Sequence, residues 1–515
     1  MDSPAALIPP ESPKTPRQPN LLWTPEIDAT IEHWRQSGAW PFEHLQVYPQ
    51  PQWRIFPKTD LRLVHHVATI SNEMFAHQTS KLTLWTDMMP KFLSIAASHP
   101  FVMHSILAFS ASHLAWISQS SETRNLAFHH AGIALKGLHE GIANFSKANS
   151  DVVLASSLLL AWQATDWRGW ASLATGNKTV IQAMKSWRHE SMFADYIAEQ
   201  TPMPGKNFMN PSYSPISPET RREHLSILSD LQTSLQRLQP YLSLARHEQE
   251  GKWVDQLRGY IERLKASGAA QTGEEQFDQL YALRKWLFWV PISLLAAKRN
   301  DATVMVVLAH FYATALAVEP MFPEIASVFC ANRSLGPLEE IILIAQGYQN
   351  PAYDDRTQSV SYLIQYPNEV ASSYKARREW MRQQAGEGSP VPQTPYGMET
   401  LSLDLQNQMA QYSYGQSLSP AFAPSPLNFF PTHGLPGLSS GPTSPYLEVP
   451  RTSVDLTYNN NNNNNNSTPS YAPSLGSPAA GPPYSIPDPN PFGYGMPPMG
   501  YHPSGFVTAP TTIWT

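Results

Sequence analysis

The chain of 515 residues is 42% hydrophobic and 15% charged, and its formal net charge is −6 at pH 7. It offers no broad basic footprint, which argues against a protein that holds nucleic acid through phosphate contacts. Cys330 is its single cysteine, so an internal disulfide framework is excluded and a reducing compartment is expected.

Residues 1–20 form a proline-rich lead. They lack the basic region and the apolar core of a signal peptide, and we expect them to be disordered. A short helix should follow, because Thr24 suits an N-cap, Pro25 suits the first helical position and Gly38 suits the position past the end.

Residues 61–118 carry the clearest helical periodicity in the chain. Pro100 biases His99 away from helical backbone and suits the first turn of a new helix, so we expect a sharp turn there. Two segments before this turn repeat at a period of about 3.6 residues. Their members are Leu61, Val64, His65, Ala68 and Phe75 in the first segment, and Trp85, Met88, Phe92 and Ile95 in the second.

Helical patterns continue through most of the remaining chain up to residue 385. Pro291 is expected to kink or end one helix, and the proline-rich residues 201–218 read as a surface loop. The predicted fold class is therefore all-α, a multi-helix bundle or array over residues 21–385. Further helices are predicted near residues 122–147, 151–166, 170–187, 221–247, 252–266, 274–298, 301–318, 335–348 and 368–385.

The longest apolar run, residues 302–318, raises the question of a membrane span. It is closed by Asp301 and Glu319 and contains His310. A spanning helix needs about 20 apolar residues, and this run is shorter. We interpret it as a buried core helix and predict no membrane span.

Residues 386–515 have a different composition. They contain 23 prolines, an asparagine run at 459–466 and 15 aromatic residues, with a net charge of −5 against −1 for residues 1–385. So much proline blocks helices and sheet ladders, and we expect a long disordered tail. Weakly acidic, aromatic-rich composition resembles transcriptional activation segments; an inert low-complexity extension is the alternative.

The first helices also carry a family resemblance. The stretch LVHH at residues 63–66, then Trp85, and then SHPFVMHSILAFSASHLA at residues 98–115 resemble the opening of the fungal-specific transcription factor domain. The similarity is to the branch that includes the sterol uptake control proteins, and residues 149–187 continue it.

This resemblance implies an all-helical regulatory domain, which in sterol-responsive members binds a sterol and controls entry into the nucleus. Such proteins normally read DNA through an N-terminal cluster of six cysteines and two zinc ions. Cys330 alone cannot build that cluster, so we predict no direct nucleic acid binding by this chain.

Catalytic signatures are incomplete in the sequence. His-Glu pairs at residues 139–140 and 247–248 begin the zinc-protease pattern H-E-x-x-H, but neither is followed by the second histidine. No G-x-S-x-G, Walker or G-x-G-x-x-G sequence occurs. We predict that the chain is not an enzyme.

The histidines give no spacing that suits a metal ion. Adjacent histidines at 65–66 and at 129–130 diverge by about 100° on a helix, and His104 and His113 fall on opposite faces of one helix. We interpret these histidines as side chains that either have hydrogen-bond partners within the protein or lie at its surface. We therefore predict no metal site and no cofactor.

An apolar ligand pocket is better supported than an active site. Two helical stretches combine Met, Phe and Leu with small residues, which can line a cavity for a sterol-like ligand. The same residues can equally fill an ordinary helical core. The candidate pocket residues are Phe101, Met103, Ile106, Leu107, Met305, Leu308 and Phe311.

One compact basic cluster comprises Lys375, Arg377, Arg378 and Arg382. A solvated helix face is its ordinary interpretation. Its functional interpretation is a nuclear import signal or a contact to an acidic partner.

Three functions stay open at this stage. The favoured one is a regulator of RNA polymerase II transcription, located in the nucleus or shuttling with the cytoplasm. Its helical domain would sense an apolar ligand or a partner, its tail would contact the transcription machinery, and another DNA-bound regulator would bring it to genes. The second is a soluble sterol- or lipid-binding module without a transcriptional role. The third is a truncated product whose zinc cluster lies upstream of this start. A homo-oligomer is compatible with each.

Overall fold

The structure, a computed structural model, describes residues 18–199, 217–244, 248–297, 301–323, 325, 332–347 and 355–386. Within these ranges the secondary structure is helical and contains no strand, which confirms the predicted all-α fold class. Residues 1–17 of the predicted lead and 387–515 of the predicted tail lie outside the described residues. Cys330 and residues 201–216 of the predicted loop also lie outside them.

The described residues form fourteen α-helices, with 3-10 turns between some of them. The first eight lie before the gap at residues 200–216, and α8 ends at that gap. The helices are α1 Pro25–Ser37, α2 Lys58–Ala76, α3 Met89–Ala96, α4 Pro100–Ser118, α5 Ser121–Ala143, α6 Ser150–Gln163, α7 Trp167–Ala183, α8 Ala194–Glu199, α9 Pro218–Leu244, α10 Glu248–Ala266, α11 Gly273–Ala297, α12 Ala302–Val318, α13 Asn332–Gly347 and α14 Asp355–Gly386.

Helix α1 has the predicted ends. The side chain of Thr24 accepts a hydrogen bond from the backbone N–H of Ile27, and Pro25 occupies the first turn. Gly38 adopts a left-handed φ of 70° and donates its N–H to the carbonyl of Trp34 at 2.7 Å. Glycine is favoured at this position because a Cβ would clash in the left-handed region.

The second helical segment is shorter than its periodicity predicts. Trp85 and Met88 precede α3, which begins at Met89, yet both side chains are buried. Trp85 donates its indole N–H to the carbonyl of Phe288, 3.3 Å away. Prediction of a continuous helix through Trp85 was therefore wrong, because contacts with α11 hold this stretch in a non-helical path.

Four prolines lie inside the described helices, and two of them, Pro291 and Pro367, bear on the sequence predictions. Pro291 does not end α11, which continues to Ala297, and Pro367 lies within α14, which begins at Asp355 rather than near residue 368. A proline removes one helical hydrogen bond. Buried apolar side chains before Pro367, such as Leu363 and Ile364, offset that loss by packing on the core.

Helices α4 and α12 run through the centre of the fold. Helix α4 packs chiefly on α5 and α6, and α12 packs chiefly on α13 and α14. By length and composition alone, Pro100–Ser118 and Ala302–Met321 are apolar enough to cross a membrane, but their best windows are 67% and 89% buried within the protein. This burial supports the core-helix interpretation of residues 302–318.

A glycine allows the close approach of α4 and α5. A Cβ built on Gly137 would lie 2.3 Å from the Cβ of Phe101, well inside contact distance. Phe101 also lies over Gly141, where a Cβ would be 3.4 Å from its ring. The ring of Phe101 thus fills the space left by two absent side chains on α5.

Candidate functional site

The seven predicted pocket residues lie on two central helices with different neighbours. Phe101 packs on Gly137 of α5, and the ring of Phe311 lies 6.3 Å from that of Trp286 in α11. The other five side chains are at most 2% exposed in the apolar core: Met103, Ile106, Leu107, Met305 and Leu308. Their role as ligand contacts stays a prediction.

An open cleft lies outside these two helices, and we name it the Arg333 cleft. Its volume is about 700 Å³ and it opens to solvent. Its walls are the segment 81–91, the region around α8, and helices α13 and α14. The apolar lining residues Leu84, Met88, Phe193, Ile342 and Ala371 form what we call the floor, and Leu343 and Gly336 lie on the α13 wall. The polar lining residues include Lys81, Asp87, Lys91, Asp195, Tyr196, Glu199, Arg333, Glu339, Glu340 and Lys375.

The floor of the Arg333 cleft is apolar. Phe193 and Leu84 are at most 2% exposed there, and Ile342 is also buried. Leu343 differs, since 63% of it is exposed although it is a large hydrophobic residue. Its exposure on the wall leaves apolar surface available for contact with a bound molecule.

Arg333 is one of the residues that line the cleft. Its Nη2 donates to the carbonyl of Leu84, and its guanidinium carbon lies 4.3 Å from the ring centroid of Trp162 and 5.3 Å from that of Tyr196. Stacking on aromatic faces is typical of arginine. Its Nε and Nη1 are buried and have no hydrogen-bond partner among the described residues.

Burial also shifts the pKa values of groups around Arg333. Loss of hydration lowers the pKa of the Arg333 guanidinium, with Tyr196 and nearby carboxylates opposing the shift. Loss of hydration also raises the pKa of the Glu199 carboxyl, and the positive charge of Arg333 opposes this rise. Glu199 as a whole residue is nevertheless exposed. The cleft therefore combines an apolar floor with poorly hydrated polar groups.

The predicted basic cluster lies on α14, beside this cleft. Lys375 Nζ lies 2.8 Å from Glu339 Oε1 of α13, and Arg378 donates to the carbonyl of Glu199 at 2.9 Å. Arg377 pairs with Glu319, which is 6% exposed. The side chain of Arg382 lies outside the described residues. An import receptor would compete with three intramolecular contacts, and the import role stays a prediction.

Sequence spacing missed two histidine pairs that form between helices. His66 Nε2 of α2 lies 3.0 Å from His113 Nδ1 of α4, and His104 Nδ1 lies 3.0 Å from His130 Nδ1 of α5. Burial lowers the pKa of His113 to about 3 and that of His130 to about 4. Within the described part of the chain, no three histidine, cysteine or acidic side chains are grouped to hold a metal ion.

Comparison with known proteins places one part of this fold in a family. Residues 77–189, from the end of α2 to the turn after α7, match the fungal specific transcription factor domain. This confirms the resemblance seen in the sequence. The matched range includes the wall of the Arg333 cleft at residues 81–91, but not α13 or α14.

Two curated proteins are similar to this chain over stretches of comparable length. Sterol uptake control protein 2 of Candida albicans is 36% identical over 102 residues, which cover 20% of this chain and 14% of that protein. Sterol uptake control protein 2 of Saccharomyces cerevisiae is 33% identical over 122 residues, 24% of this chain and 12% of that protein.

The matched region thus spans about one seventh or less of the length of these relatives. No solved structure matches the chain. Residues 77–189 therefore match the fungal specific transcription factor domain, and part of the chain is similar to part of the sterol uptake control proteins.

Proposed function

We propose that this chain regulates transcription by RNA polymerase II in the nucleus. The match of residues 77–189 to the fungal specific transcription factor domain carries this proposal. The aromatic, weakly acidic composition of residues 386–515 is suited to contacts with the transcription machinery. Another DNA-bound regulator brings the protein to its genes.

The helical domain receives the signal by binding an amphipathic small molecule of sterol size. Similarity to proteins named for the control of sterol uptake supports this ligand class. The Arg333 cleft supports a site for it, because 700 Å³ falls within the range of about 300–1,000 Å³ typical of small-molecule sites. Nη1 of Arg333 is a donor suited to a ligand hydroxyl.

The basic residues of α14 give a route for moving between cytoplasm and nucleus. Lys375 and Arg378 are held by Glu339 and by the carbonyl of Glu199, both of which line the Arg333 cleft. A ligand in the cleft would alter these contacts and so change the exposure of the basic residues.

A tethered reporter tests the transcriptional proposal. The full chain is fused to a foreign DNA-binding domain in a fungal host, and reporter transcription is expected to exceed that of the foreign domain alone. A matched fusion carrying Phe429→Ser and Phe430→Ser should activate less. A silent reporter with an intact, nuclear fusion would contradict the proposal.

A second candidate function is a sterol-binding module without a transcriptional role, and the Arg333 cleft is the observation that favours it. Native mass spectrometry and thermal unfolding with added ergosterol measure binding directly. Binding of ergosterol combined with a silent reporter would support this alternative. If ergosterol did not raise the thermal stability of the protein, a sterol would be excluded as the ligand in both proposals.

A further inference from the structure

The Arg333 cleft has the form of a groove for an amphipathic peptide helix. It is open, and its floor presents Leu84, Met88 and Ile342 along with the exposed Leu343. Charged residues from all four walls surround this floor. Apolar grooves with polar margins are the usual receptors for helices with one apolar face.

The chain itself contains a matching segment shortly after α14. Pro395 and Pro420 enclose the longest proline-free stretch of residues 386–515. Within it, apolar side chains recur at intervals of three and four residues, the spacing of a single helical face. They are Met398, Leu401, Leu405, Met409 and Tyr412.

The segment can reach the cleft from the end of the last helix. Lys375 lines the cleft and precedes Gly386, the end of α14, by eleven residues, or about 16 Å of helix. Eleven residues separate Gly386 from Met398, and the twelve extended Cα–Cα steps between them span up to about 40 Å. The connection is therefore long enough to turn back along α14.

Two lysines of the cleft can meet acidic side chains of the segment. Residues 396–412 carry Glu399 and Asp404 and no lysine, arginine or histidine. Lys81 and Lys91 line the cleft beside Asp87, and the other acidic lining residues are Asp195, Glu199, Glu340 and Glu339, which pairs with Lys375. The two acidic residues of the segment can thus meet lysines while its apolar face covers the floor.

From these observations we propose that residues 398–412 dock as an amphipathic helix in the Arg333 cleft of the same chain. The docked segment covers Leu343 and places an acidic side chain within reach of Lys81 or Lys91. It competes with any other molecule for the floor of the cleft.

Gly336 offers a way to fill the cleft without disturbing the core. It lines the cleft, and a Cβ built on it meets no described atom within 4 Å. A Gly336→Trp substitution should therefore project a ring into the groove. Gly132 on α5 is equally open but lies outside the cleft, so Gly132→Trp is the matched control.

Hydrogen exchange of the full chain, followed by mass spectrometry, measures the docking. Amides of residues 398–412 are expected to exchange at least about tenfold more slowly in the wild type and in G132W than in G336W. The double variant Leu401→Ser and Leu405→Ser should speed exchange at residues 336–346 of α13. Exchange at α13 reports whether the cleft is covered, and it does not measure how much helix the segment forms by itself.

Unprotected exchange of residues 398–412 in the wild type would overturn the proposal. Protection that grows with protein concentration would also overturn it, because the occupant would then be a second copy. Protection that persists in G336W would place the segment elsewhere. None of these outcomes alters the reporter result, so this inference and the proposed function fail independently.

Discussion

His66 Nε2 and His113 Nδ1 lie 3.0 Å apart in the core, where one ring must donate and the other must accept. Either tautomer assignment leaves His66 Nδ1 and His113 Nε2 without a hydrogen-bond partner among the described residues. Both rings are fully buried, and His113 stacks on Trp289 at 4.4 Å between centroids. Folding therefore favours the neutral form of both rings.

Stability should fall below neutral pH because of this pair. Burial lowers the pKa of His113 to about 3, and that of His66 lies well below its usual value. As pH drops below about 6.5, the unfolded chain takes up protons that the folded chain excludes. The free energy of unfolding should decrease by up to about 1.4 kcal/mol per pH unit for each such histidine, from about pH 6.5 towards pH 3.

Thermal unfolding between pH 7.5 and 5 measures this dependence. The double variant His66→Leu and His113→Phe should have a shallower pH slope, since an apolar pair does not titrate and Phe keeps the stacking on Trp289. Substitution of the exposed His33 by Gln is the control and should leave the slope unchanged. Equal slopes in wild type and double variant would show that these histidines do not govern the acid response.

Helix α5 offers a matched pair of glycine substitutions. Gly137→Ala should destabilise the protein by about 1–3 kcal/mol, because the added Cβ would lie 2.3 Å from that of Phe101 and force the helices apart. Gly132→Ala, in open space on the same helix, should instead stabilise by about 0.5–1 kcal/mol. Chemical denaturation gives both values. Similar effects at the two positions would contradict the close packing of α4 on α5.

The ion pairs of α14 should differ in their contribution to stability. Arg377→Gln leaves the buried carboxylate of Glu319 without its partner, and burial already raises the pKa of that carboxyl. We expect a loss of about 1–3 kcal/mol, less than for a fully buried pair because Arg377 is 37% exposed. Lys375→Gln breaks a surface pair and should cost less than about 1 kcal/mol.

Urea unfolding of the two variants separates these expectations. The Arg377→Gln loss should also shrink at low pH, because protonated Glu319 no longer needs a cation. If Lys375→Gln proved as harmful as Arg377→Gln, burial of Glu319 would not be the deciding factor.

Local features of this fold could be predicted from the sequence, whereas distant contacts could not. Thr24 and Gly38 mark the ends of α1 through the chemistry of neighbouring residues, and the continuous apolar run of residues 302–318 indicated a buried helix. The early start of α14 was missed because Pro367 suggested a boundary, while packing of Leu363 and Ile364 overrides it.

The candidate site is built from residues that are far apart in the sequence, so it could not be predicted without the tertiary structure. Arg333 and Leu84 are 249 positions apart in sequence, yet their hydrogen bond joins two walls of the cleft. His66 and His113 likewise belong to different helices, so spacing within one helix gave no sign of their contact. The sequence predicted two sets of apolar residues as a pocket, and the structure shows both sets in the core and the open cleft elsewhere.

Rapid depletion of the protein in living cells, followed by sequencing of nascent RNA, tests whether it regulates transcription. Synthesis of a defined set of RNA polymerase II transcripts should change within minutes, and re-expression of the full chain should restore it. Unchanged nascent transcription after complete loss of the protein would contradict a role in gene regulation.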